Sequence, residues 1–331
     1  MEAPMSQPIP VILDVDTGFD DALALLLALR APQLEVLGIT CVVGNQRLPQ
    51  VVTNTLKILD VAEAPEIPVA AGMTLPLLEP LRMPMLLHGR DGMADLGLPP
   101  SSRRPVEVHA VEFLRQALAA ASRPVTLIAL APLTNIAVFL RMYPELHSRV
   151  GQLMIMGGTY AAAGNTTPLA EFNIRHDPEA AAVVLASGLP IRLYTLDVFR
   201  RVAIRRKEIE QFIAQPDPVA QVAGRILRHS CDYFRSDRAL IGDAGAVAAV
   251  IEPEGVQGEQ LPITVELGGT ISRGQTAVDR RPPESRARLR EWCEPAPAEV
   301  DVIHTVDAAR YRALFGQLVG GVELESVNRK M

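Results

Sequence analysis

LDVDTGFDDALALLLAL, Leu13 to Leu29, decides how this chain is read. Pro10 to Val15 is an apolar run of strand length, and Phe19 to Arg30 is a helical run rich in Ala and Leu. Gly18 permits a tight turn between them. Four carboxylates, Asp14, Asp16, Asp20 and Asp21, crowd this one junction. Singly, Asp20 reads as a helix N-cap and Asp14 as a turn residue. Together they repel one another and raise each other's pKa unless a positive charge neutralises them. A hard cation with oxygen ligands, Ca2+ or Mg2+, is the natural neutraliser.

Outward from the junction, strands and helices alternate. Glu35 to Val43, Ile67 to Ala71, Val125 to Leu130, Gln152 to Met156 and Pro190 to Leu196 read as strands. Helices are expected over Pro49 to Ala62, Val106 to Ala121, Thr134 to Arg141 and Pro178 to Ser187, with a proline-rich loop from Leu75 to Ser102. The last third is more helical. Lys207 to Arg235, Ala244 to Ile251 and Asp307 to Leu318 read as helices around strands near Ile263 to Leu267 and Asp301 to Val306. Asp279 to Pro297 reads as an exposed loop, and residues 1–8 as a flexible start. The alternation implies an α/β fold with a mainly parallel central sheet flanked by helices. No repeat or linker divides it, so residues 1–331 are expected to form one domain.

Composition narrows the function. A net charge of −6 argues against nucleic acid as a partner. The one dense basic patch, Arg200 to Lys207, reads as a solvated loop and helix start. Cys41, Cys231 and Cys293 are far apart and odd in number, which fits neither a disulfide framework nor a zinc site. The longest apolar stretch, Ala22 to Leu29, is short of the roughly 20 residues a membrane span needs. Residues 1–8 lack the pattern of a signal peptide. The expectation is a soluble, cytoplasmic protein acting on a small molecule, with no membrane partner.

Open parallel sheets bind ligands beyond the carboxyl ends of their strands. The other strand ends therefore matter: VVGNQR with Asn45, ALAPLTN after Leu130, MGG at Met156, and IGDAGAV with Asp243. Pro132 interrupts pairing, so carbonyls near Leu130 are expected to face a ligand. The loop GNTTPLAEFNIRHDPEAA offers Asn165, Glu171 and Asn173, which suit sugar hydroxyls.

In these motifs the chain resembles the nucleoside hydrolases, the inosine–uridine-preferring type among them. DVDTGFDDA is similar to their DxDxGxDDA signature, and VVGN, HG, PLTN, MGG, GN…AEFN and DPEAA follow in the family's order. The resemblance implies a Ca2+-dependent nucleoside N-ribohydrolase, a dimer or tetramer, splitting ribonucleosides into ribose and base for nucleoside salvage. Asp16, Asp21, Asp243 and the Leu130 carbonyl would bind Ca2+, with Asp16 as general base on its water. Asp20, Asn45, Met156, Asn165, Glu171 and Asn173 would surround the ribose, and Asp14 would support them. His88 matches a family histidine near the base side.

One position departs from the pattern. Many members carry a histidine directly before the aspartate matching Asp243, and here Gly242 stands there. Substitutes for protonating the base are His229 and Tyr233, which read equally as packing residues. Two other readings stand beside this one: a non-catalytic ribose or nucleoside binder that keeps the metal cage, and a haloacid-dehalogenase-type phosphatase with Asp14 as nucleophile and Mg2+.

Overall fold

Val11, Leu13 and Val15 enter one hydrophobic core and Ile12 enters another, so the first strand is buried on both faces. That explains its unbroken apolar run. The computed structural model describes residues 7–83, 89–288 and 297–324. In chain order the first half comprises β1 (Ile9–Val15), α1 (Phe19–Arg30), β2 (Leu34–Cys41), α2 (Leu48–Val61), β3 (Val69–Ala71), α3 (Ala110–Ala120), β4 (Val125–Ala129), α4 (Thr134–Met142) and β5 (Val150–Met156). Then come α5 (Phe172–His176), α6 (Pro178–Leu185), β6 (Ile191–Tyr194), α7 (Leu196–Phe199), β7 (Ala203–Arg205), α8 (Arg206–Ile213), α9 (Pro218–Tyr233), β8 (Arg238–Leu240) and α10 (Ala244–Ile251). The chain closes with β9 (Val256–Val265), β10 (Thr276–Val278), α11 (Pro283–Arg288), β11 (Ala298–Val306) and α12 (Ala308–Leu318).

Nine of these strands form one sheet, in the order β10-β9-β11-β6-β5-β4-β1-β2-β3. From β3 to β11 all neighbours run parallel; β9 is antiparallel to both β10 and β11. Residues of α1, α2, α8, α9, α10 and α12 fill the core on one face, and those of α3, α4 and α6 the other. The chain order steps outward from β1 through β2 to β3, then restarts at β4 on the opposite side. The β1–β4 pair is thus a topological switch point, where such sheets open a crevice.

Several expectations are corrected. The helix expected over Lys207 to Arg235 is two, α8 and α9. Pro218 takes the first position of α9, and Asp217 caps it by accepting from the Val219 N–H at 3.1 Å. The strand expected to reach Leu196 stops at Tyr194, and Leu196 opens α7. Val106 makes an isolated bridge to Ala70, and α3 starts at Ala110 with His109 as its cap. The exposed loop expected over Asp279 to Pro297 contains α11, and residues 289–296 lie outside the described residues. The strand near Ile263 to Leu267 is longer, because β9 pairs with β11 from Val256 onward.

Register against β1 slips once in β2, where Val11 faces Val36 but Ile12 faces Gly38. A Cβ on Gly38 would lie 2.2 Å from the Phe113 ring of α3. Helix α3 can therefore pack closely there only over a glycine. Gly38→Val should cost about 1–3 kcal/mol of stability, as overpacking does. Urea denaturation with an unchanged m-value would register it as a lower midpoint.

Candidate functional site

Asp16 lies just past the end of β1, with its side chain 1 % exposed. Its Oδ2 accepts the Asn45 N–H at 2.6 Å, and its Oδ1 has no hydrogen-bond partner among the described residues. Gly44 makes this possible: a Cβ there would lie 1.9 Å from Asp16 Oδ2. Asp21 Oδ1 accepts the Asp16 N–H at 3.2 Å. Its Oδ2 accepts the Gly18 N–H at 3.0 Å and Asn45 Nδ2 at 3.1 Å. The turn after β1 is thus closed by the third residue of α1.

Asp20, Asp21 and Asp243 bring one ligand oxygen each to within 4.8 Å of one another. Asp16 stands beside this cluster, close enough that the charges of Asp21 and Asp20 act on it. Such a set could hold a hard cation, and the orphaned Asp16 Oδ1 is a further oxygen donor. Surface depressions of about 390 and 340 Å³ lie elsewhere, along β9. The site is assigned on its chemistry and not on cavity size.

The neighbouring strand ends converge on the same place. Asn173 Nδ2 donates to the Leu130 carbonyl at 2.8 Å and to the Met156 carbonyl at 3.2 Å. The Leu130 carbonyl, expected to be free, is therefore already an acceptor. Glu171 caps α5 by accepting the Asn173 and Ile174 N–H groups, and it also accepts the Gly158 N–H at 3.1 Å. Asn165 is exposed, and its Oδ1 accepts the Phe172 N–H at 2.8 Å. Rings run outward from the acidic turn: Phe19 to His229 at 6.2 Å between centroids, then His229 to Tyr233 at 6.4 Å. His88 lies outside the described residues.

Asp14 is set apart from the cluster. Its Oδ1 accepts Thr40 Oγ1 at 2.6 Å and Asn135 Nδ2 at 2.8 Å. Asn135 also donates to the Cys41 carbonyl and accepts the Met73 N–H, tying three strand ends together. The sequence reading missed this residue, though it ends the PLTN motif. It also missed Asn54 and Thr55 on α2. Asn54 Nδ2 donates to the Thr17 carbonyl at 3.1 Å and the Asp91 carbonyl at 2.8 Å, while Thr55 and Thr17 share a hydroxyl bond of 2.7 Å. Both are buried polar residues on an apolar helix face, and that was their only signal.

Burial pushes Asp14 up to about 7, against the bonds from Thr40 and Asn135. Burial and then the Asp20 charge push Asp21 up to about 7. Asp16 and Asp243 are raised by burial and then by neighbouring carboxylates. Glu171 rises to about 7 through burial, against its backbone donors. The metal-free fold therefore holds protons that the unfolded chain releases. The stability these groups contribute is complete below about pH 4 and lost as pH rises through about 7. His176, pushed down to about 4 by burial, acts in the opposite sense, but only below its ordinary 6.5.

Two outcomes follow. The Tm of the metal-free protein should fall between about pH 6.5 and pH 8, and an added dication should raise it more at the higher pH. Calorimetric scans with and without chelator would measure both. Gly44→Ala should displace Asp16 and weaken dication binding by about tenfold or more, read by titration calorimetry, because its new methyl group occupies the carboxylate's place.

Residues 11–313 match the family described as inosine-uridine preferring nucleoside hydrolase. The pyrimidine-specific ribonucleoside hydrolase RihA of Salmonella enteritidis is 37% identical over 276 residues, covering 82% of this chain and 88% of that protein. A solved inosine-guanosine nucleoside hydrolase superposes with a TM-score of 0.85 at 31% identity, over 94% of this chain and 98% of its own. The purine-preferring ribonucleoside hydrolase from Gardnerella vaginalis gives 0.84 at 28% identity, with the same coverage. The chain belongs to the inosine-uridine preferring nucleoside hydrolase family.

Proposed function

We propose that this chain hydrolyses the N-glycosidic bond of ribonucleosides to ribose and free base, with Ca2+ as its ion and pyrimidine nucleosides as its foremost substrates. Asp16 carries the reading. One of its oxygens is fixed by the Asn45 N–H, and the other is buried with no partner among the described residues. An acceptor held in one orientation is suited to take a proton from an attacking water.

Asp16, Asp21, Asp243 and the Leu130 carbonyl are proposed to hold the ion. All are hard oxygen donors, and their number and mixed type suit Ca2+ better than a small octahedral ion. The Leu130 carbonyl has a second lone pair beside its bond to Asn173. When bound, a dication lowers the pKa of adjacent water toward the physiological range.

The remaining groups act on the sugar and the base. Breaking the ribosyl C–N bond builds positive charge on the sugar, as in glycoside hydrolysis. Asp20, Asn45, Met156, Asn165, Glu171 and Asn173 would surround it, and their fixed oxygens would stabilise that charge. Phe19, His229 and Tyr233 supply rings on the base side. The pyrimidine preference rests on two observations: the 37% identity to pyrimidine-specific relatives, and Gly242, which offers no acid to a purine. The family match over residues 11–313 speaks against the phosphatase reading.

Asp16→Ala should lower kcat by at least about a thousandfold with the fold intact, within the span that general-base catalysis covers. A reducing-sugar assay on uridine, cytidine and inosine, with Ca2+ and after thorough chelation, tests the whole reading. Ribose release that survives chelation sinks the mechanism. Faster release from inosine than from uridine sinks the base assignment.

A further inference from the structure

The connection from β5 to α5, residues 157–171, is far longer than such a crossing needs, and long ordered loops in compact domains usually serve a function. Residues 161–169 bury little surface, so apolar packing does not fix them. Two side chains at α7 do. The Asp197 carboxylate accepts the backbone N–H groups of Tyr160 at 2.8 Å, Ala161 at 3.0 Å and Ala162 at 2.9 Å. The Arg200 guanidinium donates to the next two carbonyls, Ala163 at 3.0 Å and Gly164 at 2.9 Å. Five consecutive residues are gripped by one short helix and its cap.

Asn165 is the next residue. Its own N–H donates to the Ala170 carbonyl at 3.2 Å, and its Oδ1 accepts the Phe172 N–H, beside Glu171. Gly164 lets the chain close here, because a Cβ would lie 2.2 Å from the Thr167 carbonyl. Among the described residues, the Asn165 Nδ2 donates to nothing in the chain. The clamp therefore ends one residue before an exposed amide whose donor is open to a ligand.

We propose that Asp197 and Arg200 are positioning residues that aim Asn165 at the ribose. The proposal rests on the ribonucleoside reading given above. Neither residue touches the sugar. Each acts by fixing to α7 the backbone that leads into Asn165. A displacement of about 1 Å at such a group can lower activity by up to a hundredfold.

The test is a double-mutant cycle with an independent structural readout. Asp197→Ala and Arg200→Ala should each raise KM for uridine by about tenfold with kcat little changed, as loss of uniform sugar binding does. Tm and dication affinity should stay as in the wild type. In an Asn165→Ala background, Asp197→Ala should add no further loss. Amide exchange at Tyr160, Ala161 and Ala162 should accelerate in Asp197→Ala, with Asp197→Glu restoring part of the protection. An undiminished Asp197→Ala cost without Asn165, or unchanged exchange at those three amides, overturns the proposal. If the wild type releases no ribose, the ribonucleoside reading fails instead. Amide exchange and calorimetric titration with uridine then decide the clamp separately.

Discussion

Asp14, Asp16, Asp21, Asp243 and Glu171 are all buried at the carboxyl end of one sheet, none more than 4 % exposed. An ionised carboxylate taken out of water costs several kcal/mol unless something compensates it. Here the charges acting on Asp16, Asp21 and Asp243 are those of other carboxylates, which makes matters worse. The chain can meet this demand in three ways: protons, backbone N–H donors or a bound cation. Protons serve Asp21 and Glu171 only up to about pH 7. Donors serve Glu171, which accepts three N–H groups, and Asp21, which accepts two. What they leave over, on Asp16 and the Asp20–Asp21–Asp243 cluster, is a standing requirement for positive charge.

Much of the surrounding architecture makes that requirement specific rather than diffuse. The β1–β4 switch point opens the crevice, and glycines admit the carboxylates to it. Gly44 yields its Cβ space to Asp16, and Gly72 yields its own to Asn135, which in turn holds Asp14. Helix α2 grips Thr17 by both its carbonyl and its hydroxyl, so the residue after Asp16 is fixed from the far side. Asp14 shows the contrast. It is as buried as Asp16, yet two side-chain donors occupy one of its oxygens. Its other oxygen, like Asp16 Oδ1, has no hydrogen-bond partner among the described residues.

Much of the first two-thirds of the fold was legible because strands such as β1 and β4 are buried apolar runs and the helices α1 and α4 follow them within a few residues. Phe19–Arg30 and Ala244–Ile251 were read to the residue, since the acidic first turn marks one and Asp243 the other. Legibility failed where local pattern and tertiary pairing part. Near its start β9 carries Gln257, Gly258, Glu259 and Gln260, exposed residues with no strand signal until β11 lies beside them. The α8–α9 break was visible in Pro216 and Pro218, but amphipathic periodicity on either side masked it. In the site, residues on recognisable motifs could be named. Asn54 and Asp197 could not, because their partners include backbone groups far away in sequence, and a carbonyl or an amide leaves no mark on the residue that presents it.

Gly242 shows how one backbone angle bears on the choice of base. Its φ is +59°, a region costly to residues with a Cβ, and a Cβ there would stand 2.7 Å from the Asp20 Cβ. The ring of Phe199 lies 3.6 Å from the same point. The glycine is therefore more than a missing histidine. The turn between β8 and α10 has a conformation that a side chain would disturb, and Asp20 occupies the space such a side chain would need. A histidine cannot be restored here without displacing a carboxylate of the cluster. In the proposed ribonucleoside reaction, the group that serves the leaving base is therefore sought away from Gly242, and the α9 rings of His229 and Tyr233, which follow Phe19, are the proposed source.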